Sequence, residues 1–132
     1  MWRLPFLRRT RPLARPRLLV VTHSYEGALE VADAFEESGF SAVFVPAAEI
    51  AKAETLDPAP VATVVLPEVS TEDKQAVCEF LRASQLYRDQ PIVAVMTLAE
   101  GGISLPVDGI VRPPSRLSEA LAQIKQVTGR TT

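Results

Sequence analysis

"PVATVVLPEVS", residues 60–70, decides how the rest of the chain is read. Val61 to Leu66 form an apolar run of mostly β-branched residues with no polar alternation, the mark of a strand covered on both faces in a parallel sheet. Pro67 lacks a backbone donor and closes the run. Ser70, with Asp73 three residues on, resembles a capping box opening "TEDKQAVCEFLRASQLYR", residues 71–88, where Val77, Phe80, Leu81 and Ser84 recur at helical spacing. A buried strand running into a capped helix is one β/α unit, and the same unit recurs on either side.

Upstream, "RLLVVTHS" (17–24) reads as a first buried strand, and Ser24 caps "YEGALEVADAFEESGF" (25–40). In that segment Ala28, Val31, Ala32 and Phe35 share a stripe and Gly39 is a natural stop. "SAVFV" (41–45) is a second strand, and a short Ala-rich helix is expected in "PAAEIAKAE" before "LDPAP" breaks it. Downstream, "PIVAVM" (91–96) and "VDGIV" (107–111) are the fourth and fifth strands. Ser115 is expected to cap a last helix with Leu117, Ala120, Leu121, Ile124 and Val127 inside and Gly129 at its end. Strands alternating with helices predict an α/β fold, a doubly wound five-stranded parallel sheet. The ten residues "TLAEGGISLP" between Met96 and Val107 are too few for an ordinary crossover, so the helix between strands 4 and 5 is shortened or missing.

At 132 residues the chain is one domain by size. One cysteine, Cys78, and one histidine, His23, exclude an internal disulfide and a zinc site built from several such ligands. Cys78 lies in a helical pattern and reads as a small core residue. The net charge of −2 conceals a split. Residues 1–17 hold six arginines (Arg3, Arg8, Arg9, Arg11, Arg15, Arg17) and no acid; taking those six from the chain's 14 basic residues leaves eight against 16 acids. The segment 1–16, broken by Pro5, Pro12 and Pro16, is expected to be a basic, flexible arm, and 17–132 the acidic folded domain.

Five β/α units in about 115 residues, with "VRPPS" (111–115) before the last helix, resemble the receiver domain of bacterial response regulators, which has the flavodoxin-like strand order 2-1-3-4-5. The resemblance implies a set of functional positions at the carboxyl ends of the strands. Two magnesium-binding acids are expected after the first strand, where this chain has Thr22 and His23; a phosphoryl-accepting aspartate after the third, where it has Leu66; and a hydroxyl residue after the fourth, where it has Met96, with Thr97 one step on. A lysine and a proline after the fifth become Arg112 and Pro113. Magnesium takes hard carboxylate oxygens in near-octahedral geometry, which this set does not offer. The chain is therefore identified as resembling a degenerate receiver, a pseudo-receiver without aspartyl-phosphate chemistry, metal or cofactor. Glu68, two residues past Leu66, is expected to stay solvated in the turn or to assist the next helix N-terminus.

Function is then expected to lie in recognition. The resemblance implies a protein partner in bacterial signalling or localisation (a histidine kinase, regulator or scaffold), cytoplasmic and not an enzyme. The first helix, with Tyr25, Glu26 and Glu30, is the usual docking surface, and the shortened 97–106 linker a second candidate. Arg112 is a candidate anion site, with an ion pair to Asp108 or Glu68 as the plainer reading. His23 reads as an exposed junction residue. The arm's Arg3, Arg8, Arg9 and Arg11, interleaved with Trp2, Leu4, Phe6 and Leu7, suit an anionic membrane surface or an acidic protein groove; sequence-specific nucleic-acid binding is not expected without a base-reading module. The alternatives are a flavodoxin-like binder of a phosphate-bearing ligand at "THSYEG" (22–27), and an electrostatic adaptor acting through the arm on membrane or nucleic acid. No phosphate loop of the GxxxxGK[ST] or GxGxxG type is present.

Overall fold

The computed structural model describes residues 15–100, 104–111 and 117–128. In chain order these form β1 (Arg17–Thr22), α1 (Tyr25–Glu37), β2 (Ser41–Pro46), a 3-10 segment (Ala47–Thr55), β3 (Ala62–Val65), α2 (Thr71–Ala83), β4 (Ile92–Val95), a 3-10 turn (Leu98–Glu100), β5 (Gly109–Val111) and α3 (Leu117–Thr128). The strands pair in parallel in the order β2-β1-β3-β4-β5, the doubly wound arrangement expected from the alternation of strands and helices.

Period-two alternation divides the strand residues between two cores. Leu18, Val20, Ala62, Val64, Leu66, Val93, Val95 and Val111 point to one face, where Phe35 of α1 and Ala120, Leu121 and Ile124 of α3 cover them. Leu19, Val21, Val45, Val65, Ile92, Ala94 and Met96 point to the other, beneath Ala53 of the 3-10 segment and Val77, Cys78 and Leu81 of α2. With both faces covered, most strand positions are apolar, Thr63 in β3 being a buried exception, which is why the sequence shows runs rather than alternation.

Local signals fix the helix ends. The Ser24 hydroxyl accepts from the Gly27 N–H at 3.4 Å, and Ser70 Oγ accepts from the Asp73 N–H at 3.1 Å. Beyond α1, Gly39 takes φ +92°, a left-handed conformation open to glycine at no steric cost.

Two local expectations are corrected. The Ala-rich helix is a 3-10 segment with a kink at Glu49, and Pro46 supplies no side-chain cap. The helix expected over 71–88 stops at Ala83, because Ser84 turns to an extended conformation and binds Glu54 at 3.0 Å. This turn buries Tyr87, whose hydroxyl donates to the Ala53 carbonyl at 2.5 Å. Asp108 is already paired: Arg82 Nη2 lies 2.7 Å from its carboxylate, which also accepts from the Ile92 N–H at 2.8 Å. Arg82 donates as well to the carbonyls of Pro106, Arg88 and Gln90, fastening α2 to the loop that enters β4 and to the segment that enters β5. In place of a covering helix, Leu105 is buried in the α2-side core, with Val107 and Ile110 packed against it.

Candidate functional site at the carboxyl edge of the sheet

The first, third and fourth strands end beside one another. The register Val21↔Val65 places Thr22 next to Leu66, and the Leu66 N–H donates to the Val21 carbonyl at 3.0 Å. Leu66 is 1% exposed and its side chain belongs to the core beneath α1 and α3. Met96 is buried on the opposite face, in the α2-side core. Thr22 is buried and His23 is exposed. Tyr25 and Glu26 are exposed at the start of α1. The residue after β5, Arg112, lies outside the described residues, as do Pro113, Ser115 and the arm residues Arg3, Arg8, Arg9 and Arg11. Glu30 lies within α1, on the same helix as Tyr25 and Glu26.

Glu68 does not remain in the turn by itself. Thr22 Oγ1 lies 2.9 Å from its Oε2 and 2.9 Å from the Ser24 carbonyl, so one hydroxyl proton serves two acceptors. The absence of a side chain at Gly27 admits this arrangement, since a Cβ there would stand 3.1 Å from Glu68 Oε2. A carboxylate thus returns to the strand ends, over the first turn of α1, where the helix dipole favours it. A receiver-type magnesium site does not follow. Around this single carboxylate stand the Thr22 hydroxyl, an exposed imidazole and the buried side chains of Leu66 and Met96. Among the described residues no three His, Cys, Asp or Glu side chains cluster. The donor set does not fit a hard ion that calls for oxygen ligands on an octahedron.

The strongest electrostatic feature of this edge is one that the sequence did not announce. Lys74, fully buried on α2, donates to Glu100 Oε1 at 2.6 Å and to the Pro67 carbonyl at 3.3 Å. Glu100 also accepts from Thr71 Oγ1 at 2.5 Å, from the Thr97 N–H at 2.9 Å and from Thr97 Oγ1 at 3.1 Å. Burial pushes the Glu100 carboxyl up. Hydrogen bonds from Lys74, Thr71 and the Thr97 backbone, together with the lysine charge, overcome that and hold it at about 2. Glu100, but not Lys74, lines an open cavity of about 340 Å³ together with Pro67, Ser70, Thr71, Thr97 and Ala99 among others. One sign of the pair was available in the sequence: Lys74 occupies the same helical stripe as Val77, Cys78 and Leu81, where a cation requires a partner.

No protein-family model matches the chain, and no curated protein matches it by sequence. Solved structures do match it in fold. A sensor protein from Polaromonas sp. JS666 is similar with a TM-score of 0.71 at 21% identity, over 89% of this chain and 99% of that one. The receiver domain of a sensor histidine kinase from Pseudomonas aeruginosa PAO1, a structure with magnesium coordinated in its active-site cleft, gives 0.72 at 16%, over 88% and 99%. A CheY-like response regulator receiver domain from Methylobacillus flagellatus gives 0.68 at 17%, over 86% and 99%. At these identities the likeness is one of architecture: the chain has the flavodoxin-like, CheY-like receiver fold. Among the described residues, no helix is long and apolar enough to cross a membrane.

Proposed function

We propose that this chain is a pseudo-receiver, a non-catalytic interaction module of cytoplasmic bacterial signalling or localisation, which recognises a protein partner without being phosphorylated on aspartate. The observation that carries this reading is Leu66: the end of β3 is an isobutyl group buried at 1% exposure, and among the described residues no cluster of metal-binding acids surrounds it. An acyl phosphate requires a carboxylate nucleophile; near the strand ends Glu68 sits on an exposed turn and accepts from Thr22, and Glu100 is held by Lys74.

The partner class is a signalling protein such as a histidine kinase, regulator or scaffold, and the surface offered to it is α1. Tyr25 and Leu29 are two of the exposed large apolar side chains among the described residues, and they stand one helical turn apart with acids around them. Incubation with acetyl phosphate and magnesium, followed by intact-mass measurement, tests the chemistry. The expected result is an unchanged mass. Stoichiometric addition of one phosphoryl group, lost on Glu68→Gln, would assign the chemistry to Glu68 and overturn the reading.

A further inference from the structure

The outward side of α1 carries a surface that the fold does not use. Successive helical residues are about 100° apart, which puts Tyr25, Leu29, Asp33 and Glu36 on one stripe with Glu26 and Glu37 at its margin. All six are exposed, Leu29 at 79% and Tyr25 at 53%. The helix has no basic residue, and its last turn holds acids where the dipole favours cations. One cation already reaches that end from outside the helix: Arg15 Nη1 donates to the Glu36 carbonyl at 3.2 Å. Arg15 is also where the described chain begins, beside the carboxyl end of this stripe.

Residues 1–14 have the complementary chemistry. They contain Arg3, Arg8, Arg9 and Arg11 and no acid, interleaved with Trp2, Leu4, Phe6 and Leu7. Fourteen residues reach as far as about 45 Å when extended, whereas 13 helical residues span about 20 Å. The segment is long enough to run the length of α1 with residues to spare.

We propose that residues 1–14 dock on the outward face of α1 of their own chain, arginines on the acids and apolar side chains on Tyr25 and Leu29. This inference rests on α1 being the docking surface of the proposed function, but its test does not read phosphorylation or partner capture, so either can fail alone.

Trp2 is the one tryptophan of the chain, and its fluorescence reports on the arm directly. In the full-length protein, the expected result is emission shifted to the blue and an acrylamide quenching constant below that of the same protein in urea. Both are expected to be independent of protein concentration. Leu29→Glu, and separately the double change Asp33→Lys with Glu36→Lys, are expected to return both values toward those in urea. Far-ultraviolet circular dichroism is expected to stay unchanged, because these side chains are exposed. Raising the salt until the screening length is about 3 Å is expected to weaken the protection in part, leaving the apolar contribution. A Trp2 as accessible in the native protein as in urea overturns the proposal, as does protection that neither variant moves. Protection that appears only as protein concentration rises also overturns it, because the arm then docks on a second copy.

Discussion

Replacing Glu100 by glutamine removes the charge at the centre of the buried network without removing its shape. A carboxyl held at about 2 instead of its ordinary 4.5 contributes on the order of 3 kcal/mol to folding at neutral pH. Breaking a buried ion pair from one side costs about 3–5 kcal/mol, and glutamine recovers part of this by accepting from Lys74. The expected loss is therefore about 2–4 kcal/mol, or on the order of 10 °C in melting temperature for a domain of this size. The sign with pH follows from the depressed value. The stabilisation is fully present above the unfolded pKa of about 4.5 and is lost as pH falls through the folded value of about 2. Wild type and Glu100→Gln are to be unfolded in urea at several values between about pH 7 and about pH 2, and the difference between them followed, since the other carboxylates titrate in both. The gap is expected to narrow as the pH drops. A gap of the same size at both ends, or one under about 1 kcal/mol at neutral pH, refutes the view that an ionised Glu100 holds this edge together. Lys74→Met leaves a buried carboxylate without its cation and is expected to cost more, while Lys74→Met combined with Glu100→Leu is expected to cost less than the two single changes added.

Two further outcomes test the core around the site. Leu66→Asp introduces a charge into the core shared with Phe35 and Ile124, and is expected to cost at least about 3 kcal/mol in urea unfolding; an unaltered midpoint would show that this position tolerates water. Cys78 is buried, and burial pushes its thiol up to about 11 despite the charge of Arg82, so at mildly alkaline pH a thiol reagent is expected to label it only as fast as the chain unfolds. Rapid labelling of the native protein would contradict that placement.

What the sequence made legible and what it hid have different physical origins. Strands buried on both faces announce themselves as apolar runs, and Ser24 and Ser70 mark helix starts through short-range hydrogen bonds, so element order could be read directly, whereas the strand order came from the family resemblance. The end of α2 could not, because Ser84 leaves the helix for a bond to Glu54, 30 residues away in the chain. The same holds for the partners of Arg82 and Lys74: each ion pair joins residues 26 apart, across a linker with no periodic pattern. The position of Glu68 is not legible either, because nothing in its sequence neighbourhood signals that Gly27 leaves room for its carboxylate beside Thr22. The non-acidic strand ends were legible residue by residue. The charge pair beside them was not.

The arrangement of that pair explains how a fold of this type can be stable with a hydrophobic group at the end of its third strand. The carboxyl edge of a parallel sheet gathers strand ends and helix starts, and polar groups there must be satisfied by ligand, solvent or one another. Here Glu100 gathers Thr71, Thr97 and Lys74 onto a single carboxylate, and Lys74 in turn satisfies the carbonyl of Pro67 just beyond β3. The donors near the end of β4 are thus engaged by the chain itself, and the cation beneath them is already neutralised. Such an edge gains little by binding an outside anion, because the same donors would have to leave Glu100 buried and unpaired, at a cost of several kcal/mol. The recognition proposed for this molecule is accordingly to be sought on the helical faces, and on α1 first, where exposed apolar side chains and exposed acids coincide.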